Sequence, residues 1–148
     1  MYQRILIATD GSELAGKAVN QGLALAKRLN VPVTAVTVTE GWSALDLSRM
    51  ACLGKQHPIT DFEEMATTAA NNILEKVKQT AHSQGVACDV IHIQDQHPAE
   101  GIIAAAKDKG CDLIVMASHG RKGFKRILLG SETQHVLTHS SVPVLVLR

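Results

Sequence analysis

The chain has 148 residues, 45% of them hydrophobic and 20% charged, with a formal net charge of +1. That length predicts one domain, residues 1–148, around a single core, and the composition excludes a disordered chain. The near-neutral balance offers no basis for binding nucleic acid or a membrane surface. With no secretory leader and no apolar run of about 18 residues, a cytoplasmic protein is expected.

Arg4–Ala8 (RILIA) reads as the first strand, continuously apolar after its arginine. The next residues, ATDGSELAGKA, hold Gly11 and Gly16-Lys17 at phosphate-loop spacing. A phosphate loop needs a glycine-permitted turn there and a hydroxyl at position 18 for Mg²⁺, which is Ala18. Ser12 is instead a natural N-cap, and Ala15, Ala18, Val19, Gly22, Leu23, Ala26 and Leu29 keep the helical period through Ser12–Leu29. The spacing is a coincidence.

Val33–Val38 is the second strand. The connection from Thr39 to Ile59 is long and partly apolar, as lids, binding loops and interface segments are. Thr60-Asp61-Phe62-Glu63 has the form of a capping box and predicts a helix to about Gln84, terminated by Gly85. Asp89–Ile93 is the third strand, Pro98 opens a third helix that Gly110 ends, and Asp112–Ala117 is the fourth strand. Ser131-Glu132-Thr133-Gln134 resembles a second capping box, opening a helix to about His139, and Val142–Leu147 is the last strand. Cys88 and Cys111 read as small core residues, and Cys52 as a loop thiol with nothing basic beside it. No C-x-x-C spacing suggests zinc or a disulfide framework.

The alternation predicts an α/β fold: a doubly wound, five-stranded parallel sheet, strand order 3-2-1-4-5, with four helices. In that order strands one and four flank the crevice at their carboxyl ends, so Ala8–Ser12 and the residues after Ala117 build the candidate site. Gly120, Gly123 and Gly130 allow backbone N–H groups to face an anion, and Ser131 begins a helix whose positive end suits one. Arg121, Lys122, Lys125 and Arg126 add positive charge. A glycine-rich turn with a solvated basic surface fits the same composition. Asp10 reads as a ligand contact or as a turn residue before the first helix.

The stretch Ala117, Ser118-His119, Gly120, nine residues, Gly130, Ser131 resembles the nucleotide-binding signature of the universal stress protein family: Gly, two residues, Gly, nine residues, Gly, then Ser or Thr. ILIATDGSELA and SSVPVLVLR also resemble that family's first and last strands, so the likeness spans the chain. It implies ATP or AMP as bound ligand, with or without Mg²⁺, in a stress-response module. Asp10 would take the ribose hydroxyls, and Ala8, Thr9, Val38 and Met116 the adenine. The backbones of Gly120, Gly130, Ser131 and Glu132, with the Ser131 hydroxyl, would hold the phosphates, with His119 and Arg121 nearby. The family also implies a homodimer through Val142–Leu147.

Two positions depart from the pattern. Ala117 replaces the first signature glycine, which matters if that position needs a positive φ and little if it is extended. Glu132 places a carboxylate where a small or apolar residue is common. Unless it points away or holds Mg²⁺, it would favour a shorter phosphate chain.

His135 and His139 have metal-ligand spacing but no third ligand, so they read as surface or packing residues. His119 lacks an orienting partner for general-base work. With no nucleophile–base pair, Walker B acid or G-x-S-x-G elbow, the residues point to a binding protein, slow ATP hydrolysis aside. The alternative is the same fold without nucleotide, a dimeric interaction module.

Overall fold

The computed structural model describes residues 1–121 and 129–148. Its strands are β1 (Ile5–Ala8), β2 (Val33–Thr39), β3 (Cys88–Gln94), β4 (Leu113–Ala117) and β5 (Val144–Leu147). Its helices are α1 (Glu13–Leu29), α2 (Ala44–Cys52), α3 (Pro58–Ser83), α4 (Pro98–Asp108) and α5 (Ser131–His139). The strands form one parallel sheet in the order β3-β2-β1-β4-β5, as expected from the chain pattern.

Strand alternation divides the core in two. Ile5, Ile7, Val33, Ala35, Leu113 and Val115 pack under Val19 and Leu23 of α1 and Leu74 and Val77 of α3. Leu6, Ala8, Val36, Ile114 and Met116 pack on the opposite face, under Ala99, Ile102 and Ala105 of α4 and Val136 of α5. Every residue of β1 and β4 is buried, so their unbroken apolar runs serve both layers. β5 is apolar too, but an edge strand: Val144, Val146 and Leu147 are only partly covered and Leu145 is exposed. Pro143 lies outside β5, so its missing N–H interrupts no ladder, and its carbonyl accepts from Ile114 N–H at 2.9 Å.

Gly22 is where α1 meets the sheet. A Cβ there would lie 2.6 Å from Ile7 Cδ1, so the missing side chain sets how closely helix and strand approach. Ser12 is the N-cap of α1, its hydroxyl accepting from Ala15 N–H at 3.3 Å. Gly16 and Lys17 lie inside that helix, with Lys17 Nζ 3.8 Å from Glu13 Oε1 one turn back. They form no phosphate loop.

Three expectations need correction. There are five helices, not four, because the Thr39–Ile59 connection contains α2, which carries Cys52 at its end. The capping box of that helix was the missed signal: Ser43 Oγ accepts from Asp46 N–H at 3.2 Å while the Asp46 carboxylate accepts from Ser43 N–H at 2.9 Å. The boxes read at Thr60 and Ser131 do not form. α3 starts earlier, with Pro58 in its first turn, and α5 has Gly130 as N-cap, so Thr60 and Ser131 are already helical. No helix among the described residues is long and apolar enough to cross a membrane.

Candidate functional site

β1 and β4 lie side by side at the centre of the sheet, and the chain leaves both at the carboxyl edge. From β1 emerge Thr9, Asp10 and Gly11; from β4, Ser118, His119, Gly120 and Arg121. The strand order therefore joins two segments more than 100 residues apart, as the 111-residue separation of Asp10 and Arg121 records.

Asp10 binds across the gap. One carboxylate oxygen accepts from Ser12 N–H at 2.9 Å, closing a turn onto α1, and the other accepts from Arg121 N–H at 2.7 Å. Burial works against its charge. Hydrogen bonds from Ser12 and from the Arg121 amide, with the field of the Arg121 guanidinium, outweigh it and hold the carboxyl below its ordinary value. Asp10 is thus a turn residue whose carboxylate also binds the start of the loop after β4.

Gly120 and Gly130 stand where space for a Cβ is short. A Cβ on Gly120 would run into the Asp10 carboxylate. A Cβ on Gly130 would sit 3.3 Å from His119 Cα and from the Ser118 carbonyl oxygen, to which Gly130 N–H donates at 2.6 Å. Gly11, at φ +77°, completes the turn after β1, and a Cβ there would lie 2.7 Å from Ile73 Cγ1 of α3 and 3.0 Å from Arg121 Nη2. Gly120 thus lets the turn after β4 approach the Asp10 carboxylate, and Gly130 lets the start of α5 approach His119. Lys122, Gly123, Lys125 and Arg126 lie outside the described residues.

Ala117 is extended, the last residue of β4, so the absence of glycine brings no backbone strain. Its carbonyl accepts from the buried Thr133 hydroxyl at 3.0 Å, which ties the start of α5 to the end of β4. The Glu132 carboxylate is engaged by the start of α4: one oxygen accepts from Ala99 N–H at 2.8 Å, and the other lies 3.5 Å from His97 Nδ1. Ser131 is exposed at the first turn of α5, whose N-cap, Gly130, offers no side-chain oxygen to its N–H groups.

Of the expected base-lining residues, Ala8 and Met116 are buried in the α4–α5 layer, with Val38 packed against them. Thr9 is buried at the floor: its carbonyl accepts from Thr37 Oγ1 at 2.9 Å, and its own hydroxyl accepts from Gly11 N–H at 3.2 Å. His119 Nδ1 lies 3.2 Å from Ser118 Oγ. His135 and His139 stack on the exposed face of α5, centroids 4.1 Å apart, away from these turns. Among the described residues no cluster of three His, Cys, Asp or Glu could hold a metal. Two open hollows of about 450 Å³ lie elsewhere, one beside Glu75, His82 and Cys88, the other along Lys55, Asp61 and Asn72.

Sequence reasoning missed Thr37, Thr133, His97 and Ala99. A threonine inside an apolar strand was a usable signal for Thr37, since a buried hydroxyl needs a partner. Nothing local links Ala99 to Glu132, 33 residues on.

A doubly wound parallel sheet whose central strands bring Asp10 against Arg121 at the switch point defines the class, and comparison supplies the family. The universal stress protein family matches residues 1–148, and the chain belongs to it. Universal stress protein YxiE of Bacillus subtilis is 32% identical over 100% of both chains. The solved structure of MJ0577, a universal stress protein of Methanocaldococcus jannaschii, superposes with TM-score 0.81 at 31% identity, covering 99% of this chain and 96% of its own. A universal stress protein of Archaeoglobus fulgidus solved with dAMP shares the fold, with TM-score 0.70 at 19% identity over 99% of this chain and 98% of its own. Others of this fold have been solved with cAMP and with AMP.

Proposed function

We propose that this chain binds an adenine nucleotide, ATP or AMP, in the crevice between β1 and β4, and that residues 1–148 act as one cytoplasmic stress-response module. The observation that carries the reading is the meeting of Asp10 with Gly120 and Arg121 across the central strands, where a Cβ at Gly120 has no room. Members of the family hold dAMP, cAMP and AMP, which supports an adenylate as the ligand class.

In this reading Asp10 accepts the ribose hydroxyls, because each carboxylate oxygen has acceptor capacity beyond its one backbone bond. Ala8, Thr9, Val38 and Met116 border the base. The N–H groups of Gly120, Gly130, Ser131 and Glu132 and the Ser131 hydroxyl meet the phosphates, beside Ala117, His119 and Arg121. The extended Ala117 and the bond between the Glu132 carboxylate and Ala99 N–H support this reading.

Isothermal titration with ATP and AMP, each with and without Mg²⁺, tests this. Micromolar binding is expected, and no heat from folded, nucleotide-free protein would overturn it. Homodimerisation through β5 belongs to the same reading, since Leu145 is 38% exposed on that edge strand.

A further inference from the structure

Glu132 stands at the second position of α5, where a carboxylate would compete with an incoming phosphate for the positive end of the helix. The geometry gives that carboxylate another occupation. Ala99 is at the second position of α4, so its N–H is one of the donors a helix start leaves without an intrahelical acceptor. The α4 N-cap, His97, contributes no side-chain hydrogen bond to its helix. Glu132 fills that gap from another element at 2.8 Å, with His97 Nδ1 3.5 Å from its second oxygen and 3.9 Å from Glu40 Oε1. The Glu132 charge thus lies against the positive end of α4.

The start of α5 is therefore held at two points, neither using the N–H groups of its own first turn. Thr133 Oγ1 binds the end of β4 through Ala117 O, and Glu132 binds the start of α4 through Ala99 N. We propose that Glu132 is a positioning residue for phosphate: its bond to Ala99 aims the N-terminus of α5 at the crevice, and its charge is spent on α4. This rests on the nucleotide reading above.

The test separates the bond from the charge by titrating adenosine, AMP and ATP into wild type, Glu132→Ala and Glu132→Gln. Glutamine keeps an acceptor for Ala99 N–H and discards the charge; alanine discards both. The expected result is a roughly tenfold loss of AMP and ATP affinity in Glu132→Ala, with adenosine unchanged and glutamine restoring most of it. Equal losses for adenosine and AMP would reduce Glu132 to general stability and overturn the proposal. So would a glutamine variant that behaves like alanine, or one that gains selectively for ATP, because the charge would then be reaching the phosphates. Wild type that binds AMP no better than adenosine would also overturn it while leaving a nucleoside site intact; wild type that binds neither would remove the nucleotide reading with it. Thermal melts of all three proteins confirm that folded species are compared.

Discussion

Gly120→Ala probes the contact on which the site depends. The φ of Gly120 lies outside the left-handed region, so alanine meets no backbone strain, and its cost comes from the collision of Cβ with the Asp10 carboxylate. A free side-chain end would swing aside at little cost. This one is fixed by the N–H groups of Ser12 and Arg121 at 2.9 and 2.7 Å, so it cannot retreat without losing one of them. Losing a hydrogen bond to a charged acceptor costs about 1.5–3 kcal/mol. The smaller entropy of an unfolded alanine chain returns about 0.4–1 kcal/mol. The net is about 0.5–2.6 kcal/mol, or a fall in Tm of roughly 1–10 °C for a protein of this size. Urea denaturation should measure it as a lower midpoint with an unchanged slope. A double-mutant cycle gives the decisive comparison. On an Asp10→Ala background the carboxylate is gone, and Gly120→Ala should be neutral or slightly stabilising. An equal cost in both backgrounds would show that the collision does not set the energy, and the assignment of Gly120 to close approach would fail.

The Asp10 carboxyl is held below its ordinary value because its hydrogen bonds outweigh burial, so folding favours its ionised form. Its contribution is complete above the unfolded pKa, near 4, and is lost as pH falls through the lower folded value. Asp10→Asn should therefore flatten the acid limb of a stability–pH curve; an unaltered limb would show that Asp10 is not linked to folding. At the edge of the sheet, Leu145→Glu places a charge on the exposed part of β5 without entering the core, whereas Val144 and Val146 pack against the α4–α5 layer. Light scattering should find monomers for Leu145→Glu, and an intact dimer would exclude the β5 surface.

The sheet was legible because its information is local. Continuous apolar runs in β1 and β4 announce strands covered on both faces, and the period of Ala15–Ala26 announces α1. Helix starts were less legible. Thr60 and Ser131 carry the residue types of a capping box, yet Pro58 and Gly130 fix where α3 and α5 begin, because a cap acts only where the backbone has already left the helix. The Ser43–Asp46 box was real and lay inside a segment read as a loop, so five helices were counted as four.

The sequence by itself determined the parallel α/β fold, the glycines of the crevice and the family signature, since each is written in residue type and spacing. Tertiary structure decided what two questionable positions mean. Ala117 brings no backbone strain because β4 is still extended there, and the Glu132 carboxylate is taken up by the N-terminus of α4 because that helix start lies beside it. The Asp10–Arg121 and Glu132–Ala99 contacts join residues 111 and 33 positions apart. Local pattern cannot carry such contacts: they exist only once the strand order has brought separate turns and helix ends to the same edge of the sheet.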